Sequence, residues 1–377
     1  MSEARAEGLR LTDRQRLNWL RLIRTDNVSP ATFRDLVNRF GSAEAAIEML
    51  PELSARGGNR HVRITTVADA ERELDTARRF GARFVAIGEP DYPPLLRRAD
   101  QPPPLLALAG DAAVLHAPAV AIVGARNASA AGTRFAATLA SELGRAGYTI
   151  VSGLARGIDA AAHQGSLATG TVGVLAGGLD HPYPPENVTL AEEIAHRGAL
   201  LSEMPFGWEP RARDFPRRNR LVAGISLGLV VVEAAFRSGS LISARLANEM
   251  GRVVFAVPGS PLDPRAAGSN GLLKQGATIV TEVSDVLEML APMAGTRGSV
   301  APALEEPPDF AAVPPPADSE RDRVLEALGP TPMPVDDIIR HTGLHPAQVF
   351  MILLELDLAG RLERHAGGSV SVLLPNP

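Results

Sequence analysis

Apolar residues follow two rhythms along this chain, and the change from one to the other divides it. Between Val120 and Gly259, short β-branched runs stop at glycine or another small residue. Val120–Val123 precedes Gly124, Thr149–Val151 precedes Ser152-Gly153, and Val172–Leu175 precedes Ala176-Gly177-Gly178. Leu229–Val232 leads through Glu233 to Ser238-Gly239-Ser240, and Val253–Val257 ends at Pro258-Gly259-Ser260. Uninterrupted runs of this length, separated by helical patterns, suit strands covered on both faces in a parallel sheet. Parallel strands bring their C-terminal ends to one edge, so the small-residue loops are expected on a single rim. Helix N-termini and free backbone N–H groups gather there, which makes the rim an anion site by construction.

On either side the spacing is helical. Leu17, Trp19, Leu20 and Ile23 form a stripe over Thr12–Arg24. A second helix opens at Ser29-Pro30, runs through Phe33, Leu36, Val37 and Phe40, and stops at Gly41. Ser42 caps a third over Ala43–Leu50, which Pro51 is expected to end, and a fourth covers Val67–Phe80. Short helices joined by Gly-containing turns predict a small domain of sterile-alpha-motif or helix-hairpin-helix type over residues 1–81. A packing role and a ligand-binding role are equally open for it. The α/β domain is expected over residues 82–290, its Pro-rich opening (Asp91–Pro94 and Gln101–Leu106) extended along an edge. Residues 291–318 are acidic and rich in Pro, Ala and Gly without periodicity, which predicts a linker. In residues 319–377, helices at Arg321–Leu328, Val335–His341 and His345–Ala359 precede a hairpin of Arg361–Glu363 with Ser369–Leu373. Three helices and a wing spell a winged helix. Its third helix carries no Arg or Lys, which favours contact with protein over reading of duplex.

With 377 residues, two or three domains are expected. Cysteine is absent, which excludes a disulfide framework, a thiolate nucleophile and a cysteine-ligated metal. The opening Met1–Glu7 is charged, and no run approaches the roughly 20 apolar residues of a bilayer span. A cytoplasmic protein without a membrane span is expected. The net charge of −5 argues against a chain coated in positive charge but leaves room for a local basic site. Arginine supplies nearly all the cations, Lys274 being the only lysine.

The rim loops carry the candidate chemistry. Gly124 permits a tight turn, Arg126 can grip a phosphate with two prongs, and Ser129 can cap the following helix. Ser152, Gly153, Arg156 and Gly157 supply a second loop of the same kind, after which Asp159 and His163, four apart, share a helix face. A hydrogen bond between them that orients the loop is favoured over a metal pair, since no third ligand stands nearby. From Arg211 to Arg220 five arginines, Arg217, Arg218 and Arg220 among them, oppose one aspartate, and Phe206, Trp208 and Phe215 precede or interrupt them. Cations with aromatic platforms are what sequence-tolerant binding of single strands requires. Ser238, Gly239 and Ser240 offer N–H groups at another helix start, and Lys274 completes the candidate contacts with Asn219. Glu233, at a strand end, is open either to catalysis or to orienting Arg218 or Arg220. There is no Walker A loop, no full GxGxxG, no HExxH and no GxSxG, so no catalytic residue, metal or cofactor is assigned.

Val123-Gly124-Ala125-Arg126, the Ser152–Asp159 loop with His163, Gly177–Asp180 with Tyr183-Pro184, Ser202-Glu203, Phe215–Arg220, Glu233 with Ser238–Ser240, and Val257–Gly259 together resemble the DNA-processing protein A family, also called Smf. The resemblance spans Tyr92 to Ala277. It implies an extended Rossmann-like domain that binds single-stranded DNA, protects incoming DNA and loads the RecA recombinase in natural transformation and homologous recombination. It also implies homodimers formed through that domain. Arg126, Ser152, Gly153, Arg156, Arg218, Asn219, Arg220 and Ser238–Ser240 then fall where the family binds phosphate. One departure stands out: the family often has a basic residue after the Tyr-Pro step, where this chain has Pro185-Glu186-Asn187. The competing reading is a nucleotide-processing hydrolase of the related phosphoribohydrolase-like superfamily, with Glu233 as its carboxylate. The Pro-Gly-Gly-x-Gly-Thr run expected of that class is missing.

Overall fold

All five apolar runs enter one sheet. The structure, a computed structural model, describes residues 10–59, 61–294 and 316–373, so most of the expected linker lies outside the described residues. Contacts divide the described chain into two units: residues 73–294 form one, and Leu11–Arg72 together with 316–373 form the other.

Four helices open the chain: α1 (Asp13–Arg24), α2 (Pro30–Phe40), α3 (Ala43–Arg56) and α4 (Val67–Phe80). Thr12 and Gln15 form a capping box on α1, while Ser29 and Ser42 accept the Thr32 and Ala45 N–H groups at the starts of α2 and α3. Against expectation α3 runs through Pro51 to Arg56. Proline there forfeits one backbone bond, but Leu50, Leu53 and Ser54 around it are buried, and that packing outweighs the loss.

The large unit continues with β1 (Ala82–Ala86), β2 (Leu105–Gly110), β3 (Ala119–Gly124), α5 (Ala130–Arg145), β4 (Thr149–Ser152), α6 (Ile158–Ser166), β5 (Thr171–Val174), α7 (Val188–Arg197) and β6 (Ala199–Ser202). Then come α8 (Asp214–Ile225), β7 (Gly228–Val232), α9 (Gly239–Glu249), β8 (Val253–Ala256), α10 (Ala267–Lys274), β9 (Thr278–Ile279) and α11 (Val283–Ala294). The nine strands lie in the order β1-β2-β6-β5-β4-β3-β7-β8-β9. Every pairing from β6 to β9 is parallel, while β2 runs antiparallel to both β1 and β6. The Pro-rich stretch Pro102–Pro104 therefore leads into an interior strand, and β1 takes the edge. Alternation along the strands builds two cores. Ala121, Val123, Leu229 and Val231 meet Leu221 and Val222 of α8 and Ala244 of α9. Val120, Ile122, Val230 and Val232 meet Leu139 and Leu143 of α5 and Val286 of α11. From β3 the chain steps outward to β4, β5 and β6, then α8 carries it back across to β7, so the strand order reverses between β3 and β7.

The second unit adds α12 (Asp318–Ala327), β10 (Met333–Pro334), α13 (Val335–Thr342), α14 (Pro346–Leu358), β11 (Leu362–His365) and β12 (Ser369–Val372). The strands pair as β10-β12-β11, which completes a winged helix. Its third helix, α14, is the centre of the unit. Ile352, Leu353 and Leu356 fill the core of the winged helix, while Met351, Leu354 and Leu358 join Leu22, Phe33, Leu36 and Leu50 of the front helices. Polar bonds fix the seat. Thr32 Oγ1 donates to Asp357 Oδ2 at 2.7 Å, Asn27 Nδ2 donates to the Leu358 carbonyl at 3.0 Å, and Arg364 bridges Asp357 and Asp35. The contact made by this helix is thus with helices of the same chain. Among the described residues no helix is long and apolar enough to cross a membrane.

Candidate nucleic-acid interface

Open α/β sheets hold their ligands where the strand order reverses, with phosphate at a helix N-terminus. Here that crevice lies between the ends of β3 and β7, and it is filled from within. Glu233, following β7 with φ 52°, accepts Ser129 N–H at 2.8 Å on one oxygen and the Ser129 hydroxyl on the other. Ser129 Oγ in turn accepts Gly132 N–H at 2.9 Å. A carboxylate of the chain itself therefore stands at the positive end of α5, in the place of a bound anion. Glu233 orients neither Arg218 nor Arg220, and Ser129 faces inward. Ser152 is withdrawn too: it is buried, with its hydroxyl donated to the Ile122 carbonyl at 2.6 Å.

The open cleft lies toward β4 and β5. It holds about 350 Å³ and is lined by Arg126 and Asn127 after β3, Gly153, Ala155 and Arg156 after β4, Tyr183 and Pro184 after β5, and Phe215 and Arg218 on α8. The Arg126 and Arg218 guanidiniums lie 5.2 and 5.9 Å from the centre of the Phe215 ring, which packs edge-to-face with Tyr183, ring centres 5.8 Å apart. Two cations thus share one aromatic platform. Arg126 is exposed and Arg218 is buried, so one can move to meet a ligand while the other is fixed.

Arg218 is held by its surroundings. Its Nη1 donates to the Gly153 and Val174 carbonyls, and its Nε is buried with no partner. Burial lowers its pKa to about 10, the Asp159 charge opposing and the Arg126 charge adding to that shift, so it stays protonated at neutral pH. Burial pushes the Asp159 carboxyl up, while Arg218 and the Ala155 and Gly153 N–H groups pull it down. Asp159 accepts those two N–H groups at 3.4 and 3.1 Å and so orients the loop without His163. His163 turns to Thr171 instead, with Nδ1 2.7 Å from Oγ1. Thr171 Oγ1 also lies 3.1 Å from the Ile150 carbonyl, so its single proton serves either that carbonyl or the imidazole. Burial first, and then the Arg218 charge, hold the His163 pKa down to about 3. Among the described residues no three His, Asp or Glu side chains group as metal ligands.

Two arginines of the arginine-rich stretch are answered from inside by one carboxylate. Arg217 and Arg220 both pair with Glu203, and Arg220 also donates to the Gln101 carbonyl at 3.0 Å. Asp214 accepts the Trp208 indole and the Arg211 backbone N–H, each at 2.9 Å, and Arg211 lies over the Trp208 ring. Phe206 packs against Phe80 and Phe84. Of the whole stretch only Phe215 and Arg218 reach the cleft. Gly157 supports the wall, since a side chain there would overlap the Ala125 carbonyl, and Gly124 must likewise be bare against Val232. Asn219 reaches Gly239 at 3.4 Å, and Ser238 caps α9 by accepting Ser240 N–H, so Asn219 and Ser238–Ser240 form a neighbouring stretch of rim rather than the cleft. Lys274, exposed at the end of α10, lines no part of the cleft. Arg156 is paired with Glu186 at 2.5 Å, so the acid after the Tyr-Pro step masks a cleft cation. Asn187 was not foreseen. It donates to the Leu154 and Ala155 carbonyls at 2.9 and 3.2 Å and steadies a loop in which Leu154 has φ 58°. Its only signal in sequence is an amide beside Tyr183-Pro184.

The family described as DNA recombination-mediator protein A matches residues 83–291 of the 377. The chain belongs to that family. Every residue of the cleft falls inside the recombination-mediator match. The family's N-terminal HHH domain matches residues 13–76 and its winged helix domain residues 306–368. Protein Smf of Escherichia coli is 39% identical over 288 residues, covering 74% of this chain and 74% of the relative. A putative DNA processing protein DprA of Mycobacterium tuberculosis is 36% identical over 372 residues, covering 93% of this chain and 92% of the relative. Among solved structures, DNA processing protein A of Streptococcus pneumoniae superposes with a TM-score of 0.61 at 32% identity, over 74% of this chain and 98% of that one. DNA processing protein A of Helicobacter pylori, solved for its single-stranded DNA binding mode, superposes with a TM-score of 0.52 at 32% identity, over 56% of this chain and 96% of that one.

Proposed function

We infer that this protein binds single-stranded DNA in the cleft between Arg126 and Arg218 and acts by binding rather than by catalysis. The observation that carries the reading is the pairing of two guanidiniums with the Phe215–Tyr183 rings in a cleft open to the rim. Arg126 is free to take a phosphate in a two-pronged grip, and Arg218 supplies a fixed positive floor. The rings offer faces on which any base can stack, so binding is expected to tolerate sequence. The single-stranded DNA binding of the Helicobacter pylori relative supports this reading. On this basis the protein protects incoming single strands and loads RecA recombinase in natural transformation and homologous recombination, in the cytoplasm. A homodimer through the Rossmann-like domain is favoured by β9, which among the described residues pairs only with β8 and carries the half-exposed Ile279. The hydrolase reading needs a carboxylate free to act on substrate, whereas both Glu233 oxygens are bonded to Ser129.

The deciding experiment is anisotropy titration of labelled oligo-dT and of duplex at two salt concentrations. Single strands are expected to bind tighter, with affinity falling steeply as salt rises. Arg126→Ala should lower affinity about tenfold for all sequences alike, and an unchanged affinity would refute the assignment of the cleft. Release of free base from nucleoside monophosphates, abolished by Glu233→Gln, would favour the hydrolase. RecA loading is tested by whether the protein stimulates RecA ATP hydrolysis on single strands coated with a binding protein.

A further inference from the structure

Phe236 is 76% exposed on the same rim, a large ring left in water although its burial elsewhere would be favourable. The loop that carries it, between β7 and α9, is firmly held. Gly268 N donates to the Ala234 carbonyl at 2.7 Å, and Ser238 N closes the turn onto the Ala235 carbonyl at 3.0 Å. Gly268 is the residue that fits here, because a β-carbon would press on both the Ala234 and Ala235 carbonyls. Arg237 adopts φ 67°, a left-handed conformation that is uncommon for a residue with a β-carbon, and its guanidinium lies 5.8 Å from the centre of the Phe236 ring. Arg156, Arg217, Arg220 and Arg265 all have acidic partners. No carboxylate pairs with Arg237 among the described residues. An exposed ring and an uncompensated cation are therefore presented together on a fixed turn.

The sheet fixes where this turn stands. β7 neighbours β3, and β3 neighbours β4, so the ends of β4 and β7 are two strand spacings apart, roughly 10 Å. Asn219, the residue after the Arg218 floor of the cleft, reaches Gly239 immediately beyond the turn. We propose that Phe236 and Arg237 form a second subsite for the same unpaired strand: the ring stacks on a base and the guanidinium meets an adjoining phosphate. The strand is thereby led from the cleft past Asn219 and Gly239 to the β7–α9 turn. The proposal rests on the reading that the cleft binds single-stranded DNA. A protein partner would be served by a wider apolar patch, whereas this ring has a cation over it and Ser238 and Gly239 beside it.

The test compares oligo-dT of graded length, with and without abasic sites, against the full chain and the variants F236A, F236L, F236Y and R126A. Phe236 is exposed, so unchanged melting is expected to confirm that each of its variants folds. F236A and F236L should weaken binding of long oligonucleotides at least fivefold, with no effect on the shortest that still binds and none where bases are removed; F236Y should match the natural chain. R126A should weaken every length. Should F236A or F236L bind all lengths normally while R126A does not, the second subsite is refuted and the cleft stands. If R126A also binds normally, the cleft reading fails and the subsite falls with it. A change confined to molecular mass in light scattering would assign Phe236 to contact between copies of the chain and overturn the proposal.

Discussion

Arg218 crosses Gly153 with no room for a β-carbon between them: any side chain at 153 would overlap the guanidinium. The same arginine donates to the carbonyl of Gly153, and Gly153 N–H is held by Asp159, so glycine, arginine and aspartate lock as one piece. Gly153→Ala must displace either the loop or the arginine. Overpacking of this kind destabilises by about 1–3 kcal/mol, which lowers the melting temperature by several degrees. Single-strand affinity is expected to drop at least tenfold, because the cleft loses its floor. Calorimetry with anisotropy on the same preparation checks both, and an alanine variant that melts and binds like the natural chain would break the link between the two residues.

Arg156 stands in the cleft wall with its charge answered by Glu186 at 2.5 Å, both side chains more than half exposed. An exposed pair of this kind contributes little to stability. Removing the acid should therefore leave melting unchanged and release Arg156 for phosphate. Glu186→Gln is expected to tighten single-strand binding a few-fold at low salt. The slope of log affinity against log salt should steepen by about 0.7, the value for one added phosphate contact on a single strand. A slope equal to that of the natural chain would mean that Arg156 lies off the path of the strand.

The parallel strands were legible because burial on both faces writes itself as unbroken apolar runs, as at Val120–Val123 and Leu229–Val232. β2 and β6 are just as unbroken and buried, but Leu105–Ala109 and Ala199–Leu201 hold no β-branched residue, so the mark is fainter there. Pro51 misled because its effect is local, whereas the burial of Leu50 and Leu53 that overrides it is tertiary. The rim could be foreseen, since strand ends and small residues announce it. Which rim side chains are free could not, since that is decided by partners remote in sequence. Glu233 reaches Ser129 across 104 positions, and Glu203 draws Arg217 and Arg220 away from the cleft. A run of arginines reads the same whether its counter-charge is a ligand or a distant glutamate.

Gly57, at the end of α3, lies so close to α14 that a β-carbon would overlap the Glu355 carbonyl oxygen and press on Ala359. Nearby, the Glu355 carboxylate is buried against Arg321 at 2.8 Å. Gly57→Ala should therefore loosen the seat of α14 on the front helices, by about 1–3 kcal/mol. Amide hydrogen exchange by mass spectrometry is expected to speed up along α14 and at Leu50–Ser54. Unchanged protection of α14 would show that the front helices do not hold it. The result also bears on duplex binding, because α14 can enter a groove only after leaving this seat.

His163 should make the large unit sensitive to acid. Unfolded, its imidazole takes up a proton as the pH falls through about 6.5; folded, it resists until about 3. Between those values the unfolded chain holds the extra proton, so the stability is complete above pH 6.5 and is lost as acid is added. A single such group gives a slope of up to about 1.4 kcal/mol per pH unit. Asp159 acts in the opposite sense, because its raised carboxyl is protonated in the folded protein before the unfolded one and returns part of the loss as the pH approaches 3.8. His163→Gln keeps an amide that can donate to or accept from Thr171 and cannot titrate. Urea unfolding at steps from pH 7 to 4 should then show a flatter decline for the variant than for the natural chain. Two parallel declines would mean that the imidazole is protonated inside the fold as readily as outside it, and that the Arg218 charge beside it has no hold on its proton.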